Sequence, residues 1–401
     1  MPRTEDQASS RCVENAGFST ERLARISTFI ESEITAKKIP GAVLAIERHG
    51  LAILRKAWGL RDAGTRSAMT LDSIFRIYSM TKPIVSIAAM MLAEEGLLRL
   101  DKPVADFIPS FGNLNVGRSA SGEVEVVAPK QAMNVHDLLR HTSGLTYGFL
   151  GDGFVRRLYR DKGLVRGDFT NEEFCERLSK LPLMYEPATV WEYSHATDVL
   201  GRIIEIVSGR SLFAFLKERL FEPLGMEDTS FFVADSAQHG RIAEAFAHDA
   251  NFGPGTGLGN PRKPRQFESG GGGLVSTLDD YRQFARMLLA GGTLDGKTFV
   301  SRKTLAFMTA DHIGPSTLIA KTQDYLPGSG FGFGLGFAVR LETGAAPYPG
   351  SIDEFNWSGV AGTYFWIDPK EDMFVILMMQ APAQRLKFQA ALKSLIYGAL
   401  V

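Results

Sequence analysis

Apolar side chains recur along this chain with two periods, and the periods divide it. Leu23, Ile26, Phe29, Ile30 and Ile34 repeat at three- and four-residue spacing behind Ser19 and Thr20, which predicts a capped helix running to about residue 36. Residues 41–46 and 51–58 are β-type runs on either side of Arg48-His49-Gly50, a hairpin signature. Ile84, Ile87, Ala88, Met91 and Leu92 return to helical spacing over 83–97, with Gly96 placed to end the helix. From 101 to about 260 strand signal fades. Residues 135–139, a stretch opening at Asn171-Glu172-Glu173-Phe174 and residues 199–207 read as helices, while 115–131 is polar and irregular and 253–273 is a long Gly- and Pro-rich loop. Tyr281, Phe284 and Leu288 mark the buried face of a helix that follows. The chain then turns to strands over 331–339, 355–360, 363–367 and 374–379, with Asp368-Pro369-Lys370-Glu371-Asp372 as the last turn, and closes in a helix over 386–400.

Sheet and helix at both ends with helix between them is an α+β pattern. It predicts one antiparallel sheet built from both termini and flanked by helices, in a domain of residues 1–100 and 265–401, with a mostly helical domain of residues 101–264 inserted in it. Residues 1–17 read as a loosely held start.

The junction at 77–82 carries the first candidate chemistry. In Ile77-Tyr78-Ser79-Met80-Thr81-Lys82, Thr81 and Pro83 suit a first helical turn, so Ser79 and Lys82 fall near the helix N-terminus. Three residues is just under one turn, which places both side chains on one face. A serine hydroxyl is a poor nucleophile until a neighbour takes its proton, and an amine of lowered pKa can do so. Partial positive charge and free N–H groups at a helix start favour the neutral amine and later an oxyanion. Ser-x-x-Lys alone equally fits an N-capping serine followed by a solvated lysine, so the assignment needs partners elsewhere. Tyr193, in Trp191-Glu192-Tyr193-Ser194-His195 ahead of a helix, is either a core residue or a phenolate sharing a proton with Lys82. Trp357-Ser358-Gly359-Val360 is either a strand edge or, beside Ser79, the lining of an acyl pocket with a backbone N–H for an oxyanion hole.

Composition narrows the classes. Of 401 residues, 45% are hydrophobic and 22% charged, an ordinary globular balance with volume for a large core. A net charge of −1 without basic runs predicts neither nucleic acid nor an anionic membrane as partner. Cys12 and Cys175 are too few for a disulfide framework or zinc cluster, His-Glu-x-x-His is lacking, and no metal or other cofactor is expected. Gly291-Gly292-Thr293-Leu294-Asp295-Gly296-Lys297-Thr298 matches a phosphate loop literally, but a helix precedes it and none opens after it. Gly-x-Ser-x-Gly does not occur. The polar start lacks a signal-peptide core, and no window reaches the roughly 18–20 apolar residues of a membrane span, so a cytoplasmic protein is expected.

Ser79-Met80-Thr81-Lys82, Tyr193-Ser194-His195 and Trp357-Ser358-Gly359, in this order and at these wide spacings, resemble the serine β-lactamase/penicillin-binding superfamily. Leu138-Leu139-Arg140-His141-Thr142-Ser143-Gly144-Leu145 and Gly271-Gly272-Gly273-Leu274-Val275-Ser276-Thr277 are similar to its framework segments, and the likeness is nearest to the class C-like branch and the family VIII carboxylesterases. The resemblance implies a site between an α/β and a helical domain. It implies Ser79 as nucleophile, Lys82 as its proton partner and Tyr193 as the general base that becomes general acid. The N–H groups of Ser79 and Val360 would form the oxyanion hole. Trp357-Ser358-Gly359 stands where β-lactamases carry Lys-Thr-Gly, which removes a cation for a β-lactam carboxylate and suits an apolar ester. His195 stands where the branch has Asn, and reads as a pocket or packing residue. The activity so implied is hydrolysis of small carboxylic esters through an acyl-enzyme. The alternatives are a β-lactamase or D-Ala-D-Ala peptidase-like hydrolase, an acyltransferase of the same branch, and a non-catalytic scaffold or peptidoglycan-binding relative.

Overall fold

A computed structural model describes residues 5–6, 10–120, 123–165, 167–253, 256–322 and 325–401. Its nine-stranded antiparallel sheet runs in the order Glu5–Asp6, Leu51–Asp62, Gly41–Arg48, Met373–Met379, Tyr364–Asp368, Phe355–Ser358, Ala338–Arg340 and Phe331–Phe333, with Ser67–Ala68 paired to Leu51–Asp62. Every strand comes from 5–68 or 331–379, so the two ends of the chain build the sheet together. They meet where Met373–Met379 pairs with Gly41–Arg48, from Met373↔Arg48 to Met379↔Ala42.

Period-two alternation sends side chains to two cores. Ala42, Leu44, Ile46, Val375 and Leu377 meet Ile26 and Ile30 of helix Thr20–Thr35 and Phe388, Leu392 and Ile396 of helix Arg385–Tyr397. Val43, Ala45, Ile376 and Met378 join the opposite core, which holds helices Leu278–Leu289 and Thr81–Glu94 and continues through Ala196–Ser208. With both faces covered, Met373–Met379 is buried throughout, which is why it reads as an unbroken apolar run rather than an alternating one. The first hairpin closes on His49 (φ +51°) and Gly50 (φ +70°), the left-handed pair that a two-residue turn requires.

Four expectations need correction. The strand expected over 331–339 is two strands, because the chain reverses at 334–337, where the Gly336 N–H donates to the Leu139 carbonyl. The irregular stretch 115–131 contains an antiparallel ribbon, Val116–Ala120 with Glu123–Val127; residues 121–122 lie outside the described ones. The ribbon hangs on Leu183 by the Gly117 N–H rather than on the main sheet, so a core-facing pattern had no reason to appear. The start of the chain is held: Glu5–Asp6 pairs with Lys56 and Arg55, Ser10–Asn15 is helical and Val13 is buried; residues 1–4 and 7–9 lie outside the described ones. The loop over 253–273, of which 254–255 lie outside the described residues, includes the strand Thr256–Gly257 paired to Asn251–Gly253.

Helix Val135–Leu139 opens on an Asn134 capping box and brings His136 against His312, Nε2 to Nδ1 at 2.9 Å. His312 Nε2 lies 2.7 Å from the Phe307 carbonyl and must donate to it, so His312 Nδ1 accepts and His136 Nε2–H donates. The bond holds only while His312 is neutral, because its Nδ1 must accept. Burial, then the Arg140 charge, lowers the His136 pKa to about 4, and burial lowers that of His312 as well. The unfolded chain therefore takes up protons first as pH falls. Stability held above pH 6.5, the ordinary histidine value, should decline as pH drops towards about 4. Melting temperatures across that window should show the fall, and His136→Gln, whose amide does not titrate, should make it shallower. An identical slope in the variant would exclude the pair as its source.

Candidate active site

The segment that carries Ser79 is fastened on three sides. Phe75 and Arg76 pair with Ser276 and Val275, the Ile77 N–H donates to the Leu274 carbonyl, and the Leu274 N–H donates to Thr81 Oγ1. Tyr281 donates its hydroxyl to the Met80 carbonyl from helix Leu278–Leu289. Tyr78 sits at φ +43°, a left-handed backbone that costs a non-glycine residue about 1–3 kcal/mol and persists only where the surroundings enforce it. Ser79 follows in a short 3₁₀ turn, Tyr78–Met80, half-buried at the head of helix Thr81–Glu94. Helix residues Thr81 to Leu92 are all buried, Lys82 among them.

Lys82 is only 1% exposed, and its donors are satisfied inside. Nζ is 2.6 Å from the Gly271 carbonyl, 3.1 Å from the Tyr147 hydroxyl and 3.4 Å from Ser79 Oγ. Its fourth neighbour is the face of Tyr193, with the ring centroid 4.4 Å away. The structure thus brings together Ser79, Lys82 and Tyr193, and adds Tyr147, which sequence reasoning missed. Tyr147 lies two residues beyond the framework segment ending at Leu145, and that adjacency was its only signal. Its hydroxyl is pushed well above the usual phenol range by burial first, then by the charge of Asp198. The Tyr193 hydroxyl, by contrast, is buried with no hydrogen-bond partner among the described residues.

Tyr193 is placed by the segment around it. The Glu192 N–H donates to the His141 carbonyl, and the buried Glu192 carboxylate takes Thr146 Oγ1 at 2.5 Å and Arg156 Nη2 at 2.9 Å. His141 lies against the Tyr193 ring, 5.0 Å between centroids, and burial followed by the Lys82 charge keeps its pKa well below the ordinary value. It is a neutral wall and no acid. Trp357 packs against Tyr193 at 5.5 Å and Phe333 at 5.3 Å.

Strand Phe355–Ser358 packs against the Tyr78–Met80 turn. Gly359 makes that approach possible: a Cβ there would run into Thr363 Oγ1 and the Ile77 carbonyl. The Gly359 N–H bonds the Thr363 carbonyl at 2.8 Å and Thr363 Oγ1 donates to the Ile77 carbonyl at 3.2 Å, so the turn bearing Val360 is tied to the residue two before Ser79. Ser79, Trp357, Ser358 and Val360 all line one cavity of about 500 Å³. Its walls include Phe149, Phe231, Phe252 and Phe267, so it is largely aromatic.

His195 lines the same cavity, and its Nδ1 lies 2.7 Å from Asp198 Oδ2. Asp198 went unnoticed in the sequence, although an acid one turn after His195, at the start of an otherwise apolar helix, was visible. Burial alone would raise its pKa. The bond and charge of His195, the Ser269 hydroxyl and the Lys82 charge outweigh that and hold it below the ordinary carboxylate value. No group of three or more metal-ligating side chains occurs among the described residues. The phosphate-loop match is the hairpin Thr293–Leu294 with Lys297–Thr298, its lysine spent on the Pro223 carbonyl. No helix among the described residues is long and apolar enough to cross a membrane.

An antiparallel sheet with helices on both faces, and a lysine pressed on a serine at a buried helix start beside two phenols, defines the class: a serine hydrolase of the β-lactamase-like fold. The comparison with known proteins agrees. The Beta-lactamase family model matches residues 26–396, and the chain belongs to that family. It is 34% identical to Protein Rv1367c of Mycobacterium tuberculosis over 359 residues, 85% of this chain and 86% of that one. It is 31% identical to Esterase EstB of Burkholderia gladioli over 378 residues, 88% and 89% of the two chains. Among solved structures, EstCE1, described as a hydrolase with promiscuous acyltransferase activity, superposes with a TM-score of 0.79 at 27% identity, covering 94% of this chain and 99% of its own.

Proposed function

We propose that the protein is a serine carboxylesterase that cleaves small carboxylic esters through an acyl-enzyme on Ser79, in a cleft between a sheet domain of residues 1–100 and 265–401 and a helical domain of residues 101–264. The observation that carries this reading is the placement of Lys82 Nζ 3.4 Å from a Ser79 hydroxyl that opens on an aromatic cavity. Ser79 Oγ attacks the ester carbonyl carbon while its proton passes to Lys82 and Tyr193. The carbonyl oxygen becomes an oxyanion held by the N–H groups of Ser79 and Val360. As the tetrahedral centre collapses, the C–O bond to the alcohol breaks and Tyr193 returns the proton to the departing alkoxide. Water then repeats the sequence on the acyl-enzyme, releasing the acid and restoring the Ser79 hydroxyl. Trp357 and the phenylalanine walls suit an apolar acyl or alcohol group, and Trp357 offers no cation for a β-lactam carboxylate. The name of Esterase EstB supports the same reading.

Hydrolysis of p-nitrophenyl acetate, butyrate and octanoate, with nitrocefin alongside, tests it in wild type and Ser79→Ala. Ester hydrolysis that vanishes in Ser79→Ala, with nitrocefin nearly untouched, is expected. Rapid nitrocefin cleavage would make the protein a β-lactamase instead, and ester hydrolysis undiminished in Ser79→Ala would sink the acyl-enzyme. A second reading, acyl transfer to an alcohol, is favoured by the activity in the description of EstCE1 and by room in the cavity for an acceptor. Ester products formed with a competing alcohol would reveal it.

A further inference from the structure

Asp198 takes no step in the chemistry above, yet it is buried at the centre of the site and its side chain makes three hydrogen bonds there, as many as Lys82. Only 2% of its surface is exposed. Oδ1 accepts the Ser269 hydroxyl at 2.5 Å and the Gly271 N–H at 2.8 Å. The carbonyl of that same Gly271 accepts from Lys82 Nζ at 2.6 Å. Oδ2 accepts from His195 Nδ1 at 2.7 Å, and the His195 ring meets the Tyr147 ring edge-on, 4.2 Å between centroids. Tyr147 in turn puts its hydroxyl 3.1 Å from Lys82 Nζ. Two arms therefore run from one carboxylate to one amine, through the glycine backbone and through two rings in edge-to-face contact. Gly271 admits no substitute in this arrangement, since a Cβ would come within 2.8 and 2.9 Å of the Asp198 oxygens and 2.9 Å of the Tyr147 hydroxyl.

We infer that Asp198 is the positioning residue of Lys82, fixing the amine against Ser79 by holding the Gly271 carbonyl with one oxygen and the His195–Tyr147 pair with the other. The inference rests on the acyl-enzyme reading of Ser79 and Lys82. A carboxylate suits both arms because it accepts from two donors on one oxygen and a third on the other without offering a hydrogen of its own. Its charge also acts on the amine directly. The titratable groups about Lys82 are Asp198, Tyr147, Tyr193 and His141, and those about Asp198 are His195, Lys82, Tyr147 and Cys175. Only Asp198 among them is a carboxylate, so it alone offers two acceptor oxygens for the two arms.

The test is Asp198→Asn, isosteric but neutral, assayed in the full chain with p-nitrophenyl butyrate. We expect kcat to fall roughly 10²-fold, as misplacement of a reacting group does, with KM within about threefold of wild type. A purely structural aspartate would not lower kcat while leaving KM in place. Unchanged kcat, or a change confined to KM, would overturn the inference. Should Asp198→Asn fail to fold, His195→Phe and Ser269→Ala each remove one partner of the carboxylate and should each lower kcat about tenfold or more; wild-type kcat in both would overturn it equally. Ser79→Ala separates the two levels. Hydrolysis persisting there defeats the acyl-enzyme reading, whereas dead Ser79→Ala with wild-type-like Asp198→Asn defeats only the role of Asp198.

Discussion

Lys82→Met should lower kcat for p-nitrophenyl butyrate by about 10³-fold or more, with the folded state intact. Lys82 Nζ is the only amine against Ser79 among the described residues, and the proton of the hydroxyl has no other nitrogen base in reach. General acid–base catalysis of this kind contributes roughly 10²–10⁴-fold, and losing it also leaves the serine hydroxyl without the partner that orients it. Methionine suits the test because it fills a similar volume in a helix buried on every side. The stability cost falls on the Gly271 carbonyl and the buried Tyr147 hydroxyl, both left without the Lys82 donor, at about 1–3 kcal/mol for each unsatisfied buried group. Steady-state kinetics and a melting curve on the same sample decide the matter. A variant that melts near wild type and keeps more than a tenth of its activity would show that Lys82 is not the proton partner.

The second large effect separates the two phenols. Tyr193→Phe removes a hydroxyl that is buried without a hydrogen-bond partner among the described residues, so it should cost little stability or even raise it, while kcat drops about 10²–10⁴-fold. Tyr147→Phe removes a hydroxyl bonded to Lys82 at 3.1 Å and should act more weakly on kcat, about 10- to 100-fold, through the position of the amine. Both sides of the comparison come from one geometry. A phenol facing the cavity with a free hydroxyl is poised to meet a leaving alkoxide, and one already bonded to the lysine is poised to hold it. If Tyr147→Phe were the more damaging of the two, the roles would be exchanged and Tyr147 would be the base.

The catalytic candidates were legible because their signals are local. Ser79 and Lys82 lie three residues apart on a helix start, and an unbroken apolar helix behind them announces burial. Trp357-Ser358-Gly359 stood out as a strand edge, and the structure ends strand Phe355–Ser358 there, against the Tyr78–Met80 turn. Tyr147 and Asp198 were not legible, for a different reason in each case. Tyr147 sits in a loop, where no periodicity says which way a side chain points. Asp198 sits at the start of a helix, where an acid is ordinarily explained by capping and the helix dipole; only the Gly271 loop folding over it turns it into a buried centre. The ribbon Val116–Ala120 with Glu123–Val127 escaped because it borrows its anchor from Leu183 instead of burying a face of its own.

By itself the sequence determined where most of the long helices and sheet strands lie, that both ends of the chain share one antiparallel sheet, and which serine and lysine stand together. Those properties follow from periodicity and from spacings shorter than one helical turn, and such spacings survive any arrangement of the rest of the chain. The tertiary structure alone decided which tyrosine hydroxyl bonds the lysine, which carboxylate lies behind it, and that a glycine carbonyl 189 residues away in the chain accepts its closest hydrogen bond. These are contacts between segments that no local pattern couples. They are set by how a helix, a glycine-rich loop and a strand edge close on one buried amine, and that closure is a property of the packed core.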